Sequence, residues 1–147
     1  MEKRIPKVLV CVTGQKDCDR LIEAGCSISK EIQNAVVEVF SVLRTSKANE
    51  ALCEELEYLR QKAAEASAEM TIYFDDDPAL MTAGFAKQTG AVHIVTGMAG
   101  NNSGGFIDMI HRLLPSTIIS MVAKDGQVHT LYPEGVCPYR EPIRCVR

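Results

Sequence analysis

Residues 77–105 have the sequence DPALMTAGFAKQTGAVHIVTGMAGNNSGG, and this stretch decides the fold. Asp77 suits the N-cap of a helix, and Pro78 suits its first position, where the missing N–H costs nothing. Gly90 is a typical stop signal for a helix. The apolar run at 91–95 then predicts a buried parallel strand. We therefore expect a helix, a strand and a loop of small residues in this order.

The loop after this strand is built almost wholly of small residues, chiefly glycine and asparagine. Such residues leave backbone N–H groups open to an anion, and ligands of open α/β sheets bind outside the carboxyl ends of the strands. We predict that the loop binds a ligand; the alternative is a plain surface connection, which often has this composition. The predicted ligand-binding residues here are Gly97, Gly100, Asn101, Asn102, Ser103, Gly104 and Gly105.

Strand and helix patterns alternate along the rest of the chain. Alternation of this kind predicts an α/β fold with a five-stranded, doubly wound parallel sheet in the order 3-2-1-4-5. The predicted strands are 5–12, 36–43, 70–74, 91–95 and 117–123, and the other predicted helices are 17–33, 48–69 and 103–113.

The segment after the fifth strand departs from this alternation. Asp125 and Gly126 form a hairpin signal, so 128–132 is expected either to fold back antiparallel on the fifth strand or to reach a second subunit. We divide the chain into an α/β domain, 1–126, and a C-terminal strand with an irregular tail, 127–147.

Composition excludes several classes of protein. A length of 147 residues favours one core, and a net charge of -3 gives no general attraction to nucleic acid. No apolar stretch approaches about 18 residues, and the N-terminus lacks an apolar signal region. The six cysteines form no CxxC pair and no zinc spacing. We therefore expect a cytoplasmic protein with free thiols, no metal cluster and no membrane insertion.

Four stretches of the chain resemble the universal stress protein family. Together they span residues 5–123, which is most of the chain, and the first and last are closest to small stand-alone members and to the stress-protein domain of potassium-sensor kinases. The resemblance implies the adenine-nucleotide alpha-hydrolase-like fold, a role in stress response, a homodimer paired through the fifth strand, and binding of ATP or another adenine nucleotide. The four stretches are KVLVCVTGQKDCDRLI (7–22), VVEVFSVL (36–43), DPALMTAGFAKQTGAVHIVTG (77–97) and LLPSTIISMV (113–122).

The glycine loop differs from the pattern of the ATP-binding members, G-x2-G-x9-G-[ST] after the fourth strand. Gly97 and Gly100 match its first half, whereas Ile110 and His111 occupy the second half. A glycine pair instead comes earlier, at 104–105. The half of the site that holds phosphate in those members is therefore altered in this chain.

The resemblance also implies contacts at the ends of the first two strands. ATP-binding members usually carry Asp just after the first strand, where this chain has Thr13. By the same resemblance, Gly14 lets the chain turn closely beneath the ligand, and Val42 supplies backbone contacts to a base.

Three functions stay open at this point. The leading one is a regulatory protein that binds a nucleotide through the altered loop without efficient turnover. The second is an interaction module with a degenerate site that binds a protein partner. The third is a slow ATPase, for which Asp108 is the nearby candidate for a metal-binding carboxylate.

Other patterns have simpler interpretations. Cys11 before a polar turn is typical of low-molecular-weight phosphatases, but Asp17 stands where they need an arginine, so we expect a buried thiol. The run Asp75–Asp77 suits a receiver domain, but the acidic pair after the first strand is missing, so we expect a helix cap. We expect His93 to be a hydrogen-bonded sheet residue and His111 to be solvated.

Overall fold

The computed structural model of this chain describes residues 5–12, 18–44, 50–97 and 104–133. None of the helices in these ranges is long and apolar enough to cross a membrane. Helices and strands alternate, as expected, up to a final hairpin. The elements in chain order are β1 (Lys7–Cys11), α1 (Asp19–Ser29), β2 (Val36–Leu43), α2 (Glu50–Glu65), β3 (Glu69–Phe74), α3 (Pro78–Thr89), β4 (Ala91–Gly97), α4 (Gly104–Leu113), β5 (Ile118–Val122) and β6 (Val128–Leu131).

The strands form one sheet in the order β3-β2-β1-β4-β5-β6. The first five are parallel, which confirms the predicted order, and β6 pairs antiparallel with β5 of the same chain. The Asp-Gly turn makes this hairpin: Gly126 has a φ of 91°, and the Ala123 N–H donates to the Gln127 carbonyl at 2.8 Å. Since β6 occupies the outer edge of β5, two copies cannot pair through that edge while the hairpin is formed.

Each face of the sheet carries its own hydrophobic cluster, because successive side chains of a strand point to opposite faces. β1 contributes to both and is buried throughout Val8–Cys11, as expected of a central parallel strand. One cluster, beneath α1 and α2, includes Val8, Val10, Leu21, Val39, Leu59 and Val95. The other, beneath α3 and α4, includes Leu9, Phe40, Ala83, Ile94, Ile110 and Ile119.

Helix α3 has the predicted ends. The Asp77 side chain accepts a hydrogen bond from the Leu80 N–H at 3.3 Å, and Pro78 occupies the first turn. Gly90 is left-handed, with a φ of 75°, and its N–H donates to the Ala86 carbonyl. The capping prediction for Asp77 is therefore confirmed.

Helices α1 and α2 are shorter than predicted. α2 ends at Glu65 because Ser67 takes a left-handed φ of 60° and the Ala68 N–H donates to the Ala63 carbonyl at 2.8 Å, which closes the helix. Glycine is the usual residue at such a position, so serine gave no stop signal. In the last turn of α1, the Ser29 hydroxyl donates to the Cys26 carbonyl at 2.8 Å.

Glu38 is a buried charge in the amino-terminal half of β2, where the sequence shows only an interruption of the apolar run. Its carboxylate accepts from Lys7 Nζ on β1 and from Thr71 Oγ1 on β3, each at 2.8 Å. These two partners satisfy the carboxylate oxygens, which is what allows a charge to be buried. One side chain thus joins three neighbouring strands.

His93 joins the three strands on the other side. Its Nε2 lies 2.7 Å from the Ser120 hydroxyl of β5, which lies 3.1 Å from the Thr130 hydroxyl of β6. The expectation of a hydrogen-bonded sheet histidine is confirmed. Burial lowers the pKa of His93 below its ordinary value, because the charged ring would lose solvation.

The shift in the pKa of His93 predicts a loss of stability in acid. The unfolded histidine titrates near ~6.5, so at lower pH the unfolded state binds a proton that the folded state binds less readily. We expect the free energy of unfolding to fall as the pH drops from 7.5 to 5, with a contribution from this site of at most ~1.4 kcal/mol per pH unit. Urea titrations of the wild type and of His93→Gln measure it. If the free energy of unfolding changed equally with pH in the two proteins, His93 would not be the source of the acid sensitivity.

The close packing of α1 against β1 at Gly25 predicts a second effect on stability. A Cβ on Gly25 of α1 would collide with Cγ2 of Val10 on β1, whereas a Cβ on Gly84 of α3 would meet nothing within 4 Å. We expect Gly25→Ala to lower the free energy of unfolding by ~1–3 kcal/mol through overpacking. The matched control Gly84→Ala should raise it by ~0.5–1 kcal/mol through helix propensity. Denaturation of both variants tests this, and equal effects would show that α1 shifts freely.

Candidate functional site

The order of the strands reverses between β1 and β4, and this places the candidate site. The chain leaves β1 for α1, which packs on one face, and leaves β4 for α4, which packs on the other. In open α/β sheets a crevice forms at the carboxyl ends of two such strands, and ligands bind there. Residues 13–17 and 98–103 connect these strands to their helices and lie outside the described residues.

The predicted site residues divide into two groups. The first group lies within the described residues. Val42 is the second-last residue of β2, Gly97 is the last residue of β4, and Gly104 and Gly105 begin α4. The start of α4 therefore lies one short connection after the end of β4. The predicted residues that lie outside the described ranges are Thr13, Gly14, Gly100, Asn101, Asn102 and Ser103.

The backbone N–H and C=O groups of Val42 face the β1 side of β2. The Phe40 carbonyl accepts from the Val12 N–H on the β1 side, and the Leu43 carbonyl accepts from the Asp75 N–H on the β3 side. Since the N–H and C=O groups of successive residues alternate between the two edges of a strand, those of Val42 point to the β1 side. The last aligned pair of these strands is Cys11 with Phe40, so Val42 lies beyond it, at the crevice.

Ser41 fixes the end of β1 next to this position. Its hydroxyl is buried and donates to the Val12 carbonyl at 2.8 Å. This bond takes the place of the next main-chain hydrogen bond between β1 and β2. It fixes the point where the two strands separate. The chain therefore enters the segment after β1 from a defined direction.

Arg20 is the functional candidate that sequence reasoning missed. It lies in the first turn of α1, and its Nε donates to the Ala123 carbonyl, just after β5, at 3.3 Å. A Cβ built on Gly97 would lie 3.7 Å from Nη2 of Arg20, so the guanidinium group is beside the end of β4. Arginine stays charged and suits phosphate oxygens. The available signal was a cation in the first turn of the helix that follows the first strand.

Asp108 does not point into the crevice. Its carboxylate lies 3.3 Å from the Arg112 guanidinium, and both side chains are more than half exposed on the surface of α4. Within the described ranges, no group of three or more His, Cys, Asp and Glu side chains is arranged to hold a metal ion. The slow-ATPase hypothesis therefore gains no support from Asp108.

The other residues that were considered as candidates for catalysis or phosphorylation have structural positions. Cys11 is a buried thiol, as expected, and burial raises its pKa to about 12. Asp77 caps α3, and Asp75 accepts from the N–H of Asp77 at 2.9 Å, which agrees with the helix-cap interpretation. His111 is half-buried, with Nδ1 shielded from solvent, so the expectation of a solvated position was wrong. Ile110, the residue before His111 in α4, belongs to the hydrophobic core, so this part of the helix lies against the sheet.

A cavity of about 300 Å³ lies at the opposite end of the sheet. It is lined by Gly90 and Ala91 at the amino end of β4 and by Leu114–Thr117 before β5. Ligands of this fold class bind at the carboxyl ends. We therefore place the candidate site at the crevice beside Gly97 rather than in this cavity.

Comparisons with known proteins identify the fold. No family model matches the chain, and no curated protein matches it. A universal stress protein in complex with cAMP superposes with a TM-score of 0.62 and 15% identity, over 83% of this chain and 99% of that one. A universal stress protein from Archaeoglobus fulgidus superposes with a TM-score of 0.55 and 16% identity, over 74% of this chain and 91% of that one.

The chain therefore has an α/β fold with a parallel sheet of order 3-2-1-4-5 and one added antiparallel strand. It is the fold of the universal stress proteins, which is what the sequence resemblance predicted.

The burial of Cys11 predicts a difference in thiol reactivity. The thiolate is the reactive form, and a pKa of about 12 leaves almost none of it at neutral pH. Cys53 is exposed and serves as the matched control. Iodoacetamide followed by peptide mass spectrometry should label Cys53, while Cys11 should react more than ~10-fold more slowly because its thiolate is scarce and its side chain is buried. Equal rates would make Cys11 an accessible thiol.

Proposed function

We propose that this chain is a regulatory protein that binds an adenine nucleotide at the crevice between β1 and β4. The observation that carries the proposal is the Arg20 guanidinium group beside Gly97, at the carboxyl end of β4. A fixed cation at this edge of the sheet meets the need of a phosphate for charge-assisted hydrogen bonds. The similar fold of a universal stress protein in complex with cAMP supports the choice of ligand.

In this proposal the two ends of the nucleotide bind to different strands. The base contacts the N–H and C=O groups of Val42, which face the crevice. The phosphate binds between Arg20 and the N-terminal turn of α4, whose N–H groups include those of Gly104 and Gly105. The remaining proposed contacts come from Thr13, Gly14, Gly97, Gly100, Asn101, Asn102 and Ser103.

Ligand binding, without turnover, is the proposed mode of action. Binding changes the surface that the glycine loop presents to a protein partner. A homodimer that pairs through this side of the sheet would use the outer edge of β6, since β6 covers the edge of β5. We include such a dimer in the proposal because the sequence resemblance implies one.

Calorimetric titration with ATP, ADP, AMP, cAMP and cyclic di-AMP, with and without Mg²⁺, tests the proposal. We expect saturable binding of at least one of them. Arg20→Gln should weaken that binding by about 10- to 100-fold, the usual value of one hydrogen bond to a charged group. Because Arg20 also holds β5, circular dichroism and urea titration must show that the variant is folded.

Glycine variants separate the loop from the rest of the fold. A Cβ on Gly105 would meet nothing within 4 Å, and the same holds for Gly84 in α3, far from the crevice. Gly105→Val should weaken nucleotide binding because its side chain crowds the N-terminus of α4, whereas Gly84→Val should not. Absence of heat with every nucleotide would overturn the proposal and favour the degenerate interaction module.

A further inference from the structure

The outer edge of β3 is an apolar edge strand that nothing in the described part of the chain covers. β3 is the last strand of the sheet on its side. Three consecutive residues are exposed: Ile72 by 37%, Tyr73 by 42% and Phe74 by 48%. Because neighbouring side chains point to opposite faces, apolar surface is exposed on both faces of this edge.

This edge lacks the usual protection against pairing. Proteins blunt edge strands with lysine, proline, bulges or a covering element. The sequence of β3, EMTIYF, has neither lysine nor proline, and its six residues pair with β2 in continuous register. Its outward N–H and C=O groups therefore form a template for one more strand.

Negative charge stands at both ends of the apolar run. Glu69 is exposed at its start. Asp75, Asp76 and Asp77 follow Phe74 directly, and Asp76 and Asp77 are exposed. An occupant of this edge must therefore match an apolar centre and acidic ends.

A second copy of β3 does not match. Antiparallel pairing of two such strands places Glu69 of each copy near the aspartates of the other, and parallel pairing places aspartates beside aspartates. Like charges directly opposite each other destabilise a strand pair. The charge pattern thus disfavours a dimer through this edge.

The C-terminal tail has the complementary composition. Residues 134–147, EGVCPYREPIRCVR, follow the last described residue and contain three arginines and two glutamates. Both glutamates precede Pro142, so the last six residues, PIRCVR, carry Arg144 and Arg147 and no acid. Ile143 and Val146 supply apolar side chains between the charges.

The tail is long enough to reach β3 of its own chain. β6 ends near the amino end of β5, since Leu131 pairs with Ile119. From β6 to β3 the sheet spans five strand spacings, about 24 Å. Residues 134–141 cover up to about 26 Å when extended. This length is sufficient for the residues after them to reach the Glu69 end of β3.

We propose that residues 142–147 of the same chain bind along the outer edge of β3. Main-chain hydrogen bonds to β3 supply affinity in this mode of recognition, and side chains supply selectivity. Ile143 and Val146 cover the exposed apolar side chains, Arg144 lies on the Glu69 side of the strand, and Arg147 meets the aspartates. The tether raises the effective concentration of the tail, which favours this occupant over a free peptide.

Hydrogen exchange of full-length proteins tests the proposal. In the wild type, the outward amides of β3 should exchange at least tenfold slower than in Arg144→Glu/Arg147→Glu, whose tail is repelled. The control Lys124→Glu changes an exposed cation at the opposite edge and should leave β3 unchanged. Asp76→Lys combined with the tail variant should restore slow exchange, because the charges again have opposite signs.

Three results would overturn the proposal. The first is equal exchange of β3 in the wild type and the tail variant. The second is failure of Asp76→Lys to restore protection in a protein that light scattering and circular dichroism show to be folded. The third is protection that disappears on dilution as a dimer dissociates, which would make another copy the occupant. None of these measurements involves a nucleotide, so the result is independent of the proposed function.

Discussion

The enclosure of β1 is the constraint on which the rest of the structure depends. β1 pairs with β2 on one edge and β4 on the other, and hydrophobic clusters cover both of its faces. This requires α1 to approach closely, and Gly25 permits the approach because a larger residue would collide with Val10. The reversal of strand order at β1 then creates the crevice, so the packing of one strand also determines where a ligand can bind.

The parts of the fold that the sequence predicts are those encoded by neighbouring residues. Asp77 and Gly90 bound α3 through contacts within four residues, and Asp125 and Gly126 form the hairpin turn. Alternation of strands and helices limits the topology to a few possibilities, and handedness selects among them. The end of α2 was missed because Ser67 adopts a conformation that is usual for glycine.

The candidate site was predictable only in part, because its contacts join distant segments. Sequence patterns and the family resemblance indicated the strand ends and the glycine loop, including Val42 and Gly97. They did not indicate Arg20, whose bond to the Ala123 carbonyl spans 103 positions of the chain. The orientation of Arg20 follows from the packing of whole elements rather than from a motif. Asp108 differs, because its partner Arg112 lies only four positions further on, a spacing that favours an ion pair on the surface of a helix.

The buried carboxylate of Glu38 has a consequence for how this sheet tolerates change. Its two partners, Lys7 and Thr71, lie on different strands, and only one alignment of the three strands brings all of them together. Slippage of either neighbour would leave a charge unpaired in the interior, at a cost of several kcal/mol. The hydrogen bonds of Glu38 thus fix the alignment of these strands at a position away from the crevice. Residues at the crevice do not determine that alignment, so substitutions there can alter ligand preference while the strands keep their register.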